Sequence, residues 1–246
     1  MSNHEIINDL LGFKGLKIIQ RKDMFNFSLD SVLLADFVVI TKKVKKIIDL
    51  GTGFGPVPLF LSTKTKAQIV GVEIQEDVYK IAEKNRILNN LDSQINFYNH
   101  DINQIENYFK SGTFDVVTSN PPFFKYDATS NINQIEYKTI ARHEVTINLE
   151  TLIRKAKYLL DNRGHFYLVH RAERLEEIVH TLNTYDFAIK RLRFVYPKPN
   201  TNALIVLIDA MYQGAQGLQV LEPLIIHQDN GTYTKETQMI FNNERR

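Results

Sequence analysis

Asn120, Pro121, Pro122 and Phe123 follow directly on the run Phe114-Asp115-Val116-Val117-Thr118-Ser119. Two prolines fix φ twice and push the residue before each out of the helical region, so the tetrapeptide is a stiff loop. In such a loop the Asn120 side-chain oxygen and the Pro121 carbonyl can face the same NH₂ group. A planar NH₂ nitrogen is a poor nucleophile, because its lone pair is delocalised into a ring or a carbonyl. Two acceptors favour the pyramidal geometry that exposes the lone pair, and they stabilise positive charge as an electrophile arrives. No strong base is required. Phe123 and Phe124 can wall a flat substrate, and Pro122 is expected to bind it with them; base–aromatic stacking is worth about 1–3 kcal/mol. Taken alone, the same four residues also make a tight turn ahead of two core phenylalanines.

A second constellation lies upstream. Asp49-Leu50-Gly51-Thr52-Gly53-Phe54-Gly55 carries glycines that let the backbone take φ > 0 and approach a ligand closely. Its spacing is G-x-G-x-G, not the G-x-G-x-x-G of dinucleotide binders, and it lacks the G-K-[ST] ending of a phosphate loop. Glu73, with Ile74 beside it, follows the glycine turn by about 20 residues, where an acidic side chain can accept both hydroxyls of a ribose. Asp101 can accept an adenine amino group while Ile102 packs on the ring; it is equally suited to cap a short helix. A nucleoside without phosphate, next to a site that activates an amine, points to S-adenosylmethionine as methyl donor and S-adenosylhomocysteine as product. Asn120 would border both the cofactor and the amine.

The elements that must position these residues alternate. Strands are expected over 46–50, 68–73, 94–98, 114–119, 164–170, 186–196 and 203–210. Helices are expected over about 29–40, 56–65, 76–90, 103–110, 148–161 and 172–184. Val78, Ile81, Ala82, Ile87 and Leu88 are assigned to one side of the third helix, and Ser28 is a candidate N-cap for the first. A short strand is expected over 17–20, an edge strand over 218–226 broken by Pro223, and a terminal helix over 235–242. The pattern predicts an α/β fold: a mostly parallel, Rossmann-like seven-stranded sheet with an antiparallel last strand and helices on both faces. Ligands in such sheets bind beyond the carboxyl ends of the strands, where three of the motifs fall. One domain is expected over 1–246, with segment 1–44 covering the cofactor site and 211–246 as a C-terminal extension.

The order D-x-G-x-G-x-G, acidic strand end, D-I and N-P-P-F resembles class I S-adenosylmethionine methyltransferases of the amino-methylating branch. The segment Arg21 to Phe37, Arg-Lys-Asp-Met-Phe-Asn-Phe-Ser-Leu-Asp-Ser-Val-Leu-Leu-Ala-Asp-Phe, is similar to the N-terminal segment of the bacterial tRNA1(Val) adenine-37 N6-methyltransferase family. Tyr196-Pro197-Lys198-Pro199 and the strand after it resemble that family's late strand pair. The resemblance covers about 15–241. It implies N6-methylation of an adenosine in tRNA beside the anticodon. It also implies that Asp49, Gly51 and Gly53 hold cofactor, Glu73 its ribose and Asp101 its adenine. Asn120 and Phe123 would hold the target base, and Phe27 and Asp30 would close over the methionine end. The amine chemistry by itself serves guanine N2 in ribosomal RNA or a glutamine amide in protein equally well. A catalytically silent RNA-binding module on the same fold is the alternative outside enzymes.

Bulk composition fits this reading. The chain has 246 residues, 43% hydrophobic and 24% charged, and a formal charge of +2, too mild to mark a nucleic-acid binder by itself. A tRNA partner therefore depends on clustering. Lys125, Lys138, Arg142, His143, Arg171, Arg174, Lys190, Arg191, Arg193, Lys198, Arg245 and Arg246 are candidates for a phosphate-binding rim. Of these, Lys125, Arg142 and Lys198 are the substrate contacts expected first. The absence of Cys rules out disulfides, thiolate metal sites and cysteine nucleophiles. No metal is expected, since no H-E-x-x-H spacing occurs. No apolar run nears the roughly 20 residues of a membrane span. With no signal-peptide design at the N-terminus, a cytoplasmic protein, more readily monomeric than not, is expected.

Overall fold

A computed structural model of the chain describes residues 5–10, 15–21, 29–122 and 148–244. Strands β1 (Glu5–Asp9) and β2 (Lys17–Arg21) form an antiparallel hairpin of their own. The main sheet is built from β3 (Lys46–Leu50), β4 (Gln68–Glu73), β5 (Ile95–Asn99), β6 (Phe114–Ser119), β7 (Leu160–Arg171), β8 (Phe187–Tyr196) and β9 (Ile205–Tyr212). Their order is β5-β4-β3-β6-β7-β9-β8, and the short β10 (Gln219–Val220) and β11 (Leu224–Ile225) both pair with β8. All pairs are parallel except those of β9 with β7 and β8. The antiparallel strand is the last of the seven, as expected, and it inserts between β7 and β8 rather than lying at the rim.

The strands are apolar on both faces, as a sheet covered twice requires. Along β3, Ile47 joins one core with Ile69 and Val116, while Ile48 and Leu50 join the other with Val117 and Leu168. That alternation is the period of two that sends successive side chains to opposite faces. The helices among the described residues are α1 (Leu29–Phe37), α2 (Pro56–Ser62), α3 (Glu76–Leu88), α4 (Leu149–Leu159), α5 (Leu175–Thr184) and α6 (Lys235–Phe241). Helix α4 shows the clearest stripe, burying Leu149, Leu152, Ile153, Ala156 and Leu159, and Asn148 caps it by accepting from the Thr151 N–H at 2.7 Å.

Four expectations need correction. Helix α1 stops at Phe37, not near 40, and only Asp36 of its last seven residues is exposed. Lys64 Nζ donates to the carbonyls of Ala35, Asp36 and Val38 at 2.8, 2.9 and 2.8 Å, supplying the C-terminal cap that no glycine provides there. On α3 the buried side runs through Val78, Ile81 and Ala82 to Asn85, while Ile87 and Leu88 face solvent. Ile87 falls on the side opposite Val78, whereas Leu88, two turns beyond Ile81 and in phase with it, is the last residue of the helix and stays exposed there. In place of a helix over 103–110 there is a 3-10 turn, Ile102–Asn107, whose Ile102 and Ile105 match a repeat of three. Strand β7 begins at Leu160, four residues early, and bends through Arg163 at φ +64 before Gly164. Pro223 does divide the late edge strand, between β10 and β11.

The chain runs from β3 outward to β4 and β5, then returns to β6 on the other side of β3. The crevice between the carboxyl ends of β3 and β6 is therefore the switch point of the sheet.

Candidate active site

Register places the motif residues side by side at that crevice. Leu50 pairs with Ser119 on one flank and Val72 on the other, and Glu73 pairs with Asn99. One residue further along, Asn120, Gly51 and Glu73 stand level across three adjacent strand ends. Glu73 and Asn120 are two strand spacings apart, about 10 Å.

The glycine turn divides into two functions. Gly51 and Gly53 have φ of +72° and +58°, and a Cβ added at either would meet nothing within 4 Å. Gly55 (φ +85°) and Gly71 are different: a Cβ there would lie 2.5 Å from the Phe97 ring. The first pair faces open space where a ligand fits; the second pair makes a slot for one aromatic ring. The turn is fixed from below, since Gly51 and Thr52 N–H both donate to the Val72 carbonyl at 3.0 Å.

Glu73 is 7% exposed, and its carboxylate accepts from Gly53 N–H at 3.0 Å and Gln75 N–H at 2.9 Å. It thus holds the glycine turn in place as well as standing where a ribose would lie. A carboxylate offers about four acceptor sites, so these bonds are compatible with hydroxyl donors from a ligand. Asn99 Nδ2 donates to the carbonyls of Glu73 and Ile74, both at 2.8 Å. Asp101 Oδ1 accepts from the backbone and side-chain nitrogens of Asn103, at 2.8 and 3.0 Å. The helix-capping chemistry foreseen for Asp101 is therefore realised, with Ile102 half-buried behind it.

Asp49 is 2% exposed and accepts from Thr118 Oγ1 at 2.6 Å. Burial pushes its carboxyl up to about 7, against the opposing pull of the Thr118 hydroxyl, with the nearby Glu73 charge adding to the rise. A cation arriving beside it would ionise it, and the methionine end of S-adenosylmethionine carries an ammonium. On this donor set the residues present fit that cofactor: open glycine turn, two strand-end carboxyls and a buried acid.

Asn120 is half-buried, with Pro121 buried and Pro122 exposed. Its Nδ2 donates to Ser31 Oγ of α1 at 3.0 Å. The neighbouring Ser119 Oγ donates to the Leu50 carbonyl at 2.8 Å. His170 at the end of β7, two residues beyond the partner of Ser119, is 2% exposed. Burial, reinforced by Arg174, lowers its pKa to about 4, so it is neutral near pH 7 and no imidazolium stands beside the turn.

A family model described as Methyltransferase domain matches residues 41–217. The chain belongs to that family. It is 28% identical to the tRNA1(Val) (adenine(37)-N6)-methyltransferase of Porphyromonas gingivalis over 236 residues, 93% of this chain and 91% of that one. It is 29% identical to the protein of the same name from Proteus mirabilis over 233 residues, 92% of this chain and 89% of that one. Among solved structures, a predicted O-methyltransferase from Agrobacterium tumefaciens superposes with a TM-score of 0.69 at 21% identity, covering 87% of this chain and 96% of that one. That likeness concerns the methyltransferase fold.

Several sequence-derived residues are brought together: Asp49, Gly51, Gly53, Glu73, Ile74, Asp101, Ile102 and Asn120 line one edge, and Asp30 is in the first turn of α1 beside Ser31. Phe27, Phe123, Phe124, Lys125 and Arg142 lie outside the described residues, as do Ser28, Lys138, His143, Arg245 and Arg246. The basic rim is only partly assembled. Arg171 closes β7 and exposed Lys198 follows the carboxyl end of β8, both on the strand-end side of the sheet that carries the site. Lys190 and Arg191 sit in the amino half of β8, where Arg191 Nε donates to Asp209 at 2.8 Å. Arg193 is buried and bonded to Glu236 at 2.6 Å. Lys190 Nζ donates to the Ala215 carbonyl at 3.0 Å, so all three are engaged by partners within the fold.

Sequence reasoning missed Ser31, Asn85 and Lys155. Asn85 is fully buried and accepts from Ile19 N–H at 2.6 Å while donating to the carbonyls of Ile19 and Phe54, at 3.1 and 2.9 Å. Asn89, one turn on, does the same for Lys17 N–H and C=O, both at 2.8 Å. The two amides imitate a neighbouring strand for β2 and hold the hairpin against the glycine turn. Lys155 is 3% exposed and donates to the Asn103 carbonyl and to Glu106, fixing the Asp101 turn to α4. A polar residue on the apolar stripe of its helix was the available signal for Asn85 and Lys155.

Proposed function

We propose that this chain transfers a methyl group from S-adenosylmethionine to N6 of an adenosine in tRNA, with adenosine 37 of tRNA1(Val) as the target. The observation that carries the reading is the placement of Asn120 level with the open glycine turn and Glu73, across the switch point of the sheet. The names of relatives matched over about nine-tenths of their length direct the amine chemistry to adenine in tRNA.

When bound, S-adenosylmethionine supplies an electrophilic methyl on sulfur. Glu73 accepts ribose hydroxyls, Asp101 and Ile102 meet the adenine, and Asp49 answers the ammonium. Asn120 Oδ1 and the Pro121 carbonyl would accept from the N6 amine and stabilise its positive charge as the nitrogen–methyl bond forms and the sulfur–methyl bond breaks, with S-adenosylhomocysteine leaving as the neutral thioether. The product ammonium is acidic enough to release its proton to water, so neutral His170 is not needed as a base. An adenine in an anticodon loop is cheaper to splay outward than a paired one, which suits a site at an exposed strand edge. Lys198 and Arg171 meet the phosphates flanking it.

The test is incubation with labelled S-adenosylmethionine and unmodified total tRNA, followed by nucleoside analysis. Label in N6-methyladenosine is expected; label only in protein or in methylguanosine overturns the proposal. Asn120→Ala is expected to lower kcat by about 10²-fold or more while leaving cofactor affinity nearly unchanged. Full activity in that variant would remove the mechanism.

A further inference from the structure

The backbone leading to Asn120 is locked on both sides. Thr118 Oγ1 and Ser119 Oγ tie the end of β6 to Asp49 and to the Leu50 carbonyl of β3, at 2.6 and 2.8 Å. Pro121 and Pro122 stiffen the chain just after it. The remaining freedom is in the Asn120 side chain, whose terminal torsion is broad and roughly two-fold. The two ends of the amide are opposite in sense, since the oxygen accepts and the NH₂ donates. One orientation offers an acceptor to an NH₂ substrate; the other offers a donor to a donor.

Ser31 Oγ takes the Asn120 N–H at 3.0 Å, the contact made by this side chain among the described residues. Ser31 is 4% exposed and belongs to a rigid support. Its helix α1 is capped at the far end by Lys64 and packs Phe37 edge-on against Tyr167 of β7, with ring centroids 6.1 Å apart. It also precedes the matched methyltransferase domain, which starts at residue 41.

We propose that Ser31 is a positioning residue for methyl transfer: with its own proton directed elsewhere, its hydroxyl oxygen accepts the Asn120 amide N–H and turns Asn120 Oδ1 toward the target amine. This rests on the acceptor role assigned to Asn120 above. The N-terminal segment thereby completes the orientation of a group that the domain itself carries but leaves rotatable. Ser31 acts at the chemical step and not on cofactor binding, so its loss should appear in kcat.

Four proteins test this: wild type, Ser31→Ala, Ser31→Thr and Ser31→Val. Threonine and valine have nearly the same shape, so the pair isolates the hydroxyl. With unmodified tRNA, Ser31→Ala and Ser31→Val are expected to lose about tenfold in kcat, the worth of one well-placed hydrogen bond, and Ser31→Thr to stay near wild type. KM for S-adenosylmethionine and the melting temperature of Ser31→Ala should match wild type; a merely structural role would move both. Alanine is a good helix former, so that variant should fold. Ser31→Ala within about twofold of wild type, or Ser31→Val as active as Ser31→Thr, overturns the proposal, as does a kcat loss matched by a fall in melting temperature. Wild-type protein that methylates no adenosine overturns the functional reading beneath it, which is a different result from active wild type with equally active Ser31→Ala.

Discussion

The buried carboxyl of Asp49 links stability to protonation and, on the proposed function, to ligand binding. Its folded pKa of about 7 lies above its ordinary value of 3.8, so the folded chain holds the proton more tightly. Below that ordinary value both states are protonated. As pH rises toward 7 the unfolded chain ionises while the folded chain does not, and folding becomes progressively less favourable until the curve flattens above 7. Asp49→Asn keeps an acceptor for Thr118 and removes the ionisation. Its melting temperature should therefore exceed that of wild type by a margin that grows between pH 5 and pH 8, reaching about 3–6 °C for roughly 1–2 kcal/mol. The same variant should bind S-adenosylmethionine at least about tenfold more weakly, since the carboxylate proposed to answer the ammonium is gone. In wild type, affinity should rise with pH through about 7, a slope that calorimetry would find absent from the variant. A variant that is destabilised at pH 8, or that binds cofactor normally, contradicts this account.

Elements explain what the sequence could and could not disclose. The strands β3, β4 and β6 were legible to the residue, because each is a short apolar run closed by a motif. The 3-10 turn was not, because Ile102 and Ile105 suit either a short helix or a repeat of three. Hairpin strand β1, Glu-Ile-Ile-Asn-Asp, was invisible: its polar residues carry no strand period, and its partner β2 is held by side-chain amides from α3 that only tertiary structure supplies. The glycines show the same limit. Spacing marked Gly51, Gly53 and Gly55 alike, whereas the fold assigns Gly55 and Gly71 to the slot for Phe97. Two substitutions should separate these roles. Gly71→Ala places a methyl in that ring and should cost about 1–3 kcal/mol of stability, with cofactor affinity preserved in what remains folded. Gly53→Ala meets open space and should cost only about 1 kcal/mol for its positive φ, yet weaken cofactor binding severely. Denaturant melts and isothermal titration would decide, and equal effects on both quantities in both variants would refute the division.

At the scale of the whole molecule, the matched domain ends at residue 217 but the core does not. Leu224, Ile226 and Ile240 are buried in the same cluster as Ile47, Phe60 and Tyr167. Strand β11 adds to β8 in parallel, pairing Leu224 with Val195. Arg193 fastens this region: it donates to the Glu222 carbonyl at 3.0 Å and to Glu236 at 2.6 Å, and burial lowers its pKa without freeing it from charge. Helix α6 is capped by Thr234 and rests on the core through Ile240. Cutting the chain after residue 217 would remove three large aliphatic side chains from the core, each worth about 1.5–3 kcal/mol when buried, uncover the apolar surface they pack on, and leave Arg193 without its partners. That sum is comparable to the whole stability of an ordinary domain. The truncated protein should therefore be insoluble or lack a cooperative melt, and Arg193→Ala in the full chain should lower stability by about 2 kcal/mol, discounted because Glu236 is partly exposed. The full chain should unfold in one transition, with tryptophan-free probes such as tyrosine fluorescence and far-ultraviolet circular dichroism coinciding. A soluble 1–217 fragment that melts at the full-length temperature would instead make the last thirty or so residues an appendage, and the two signals would then part.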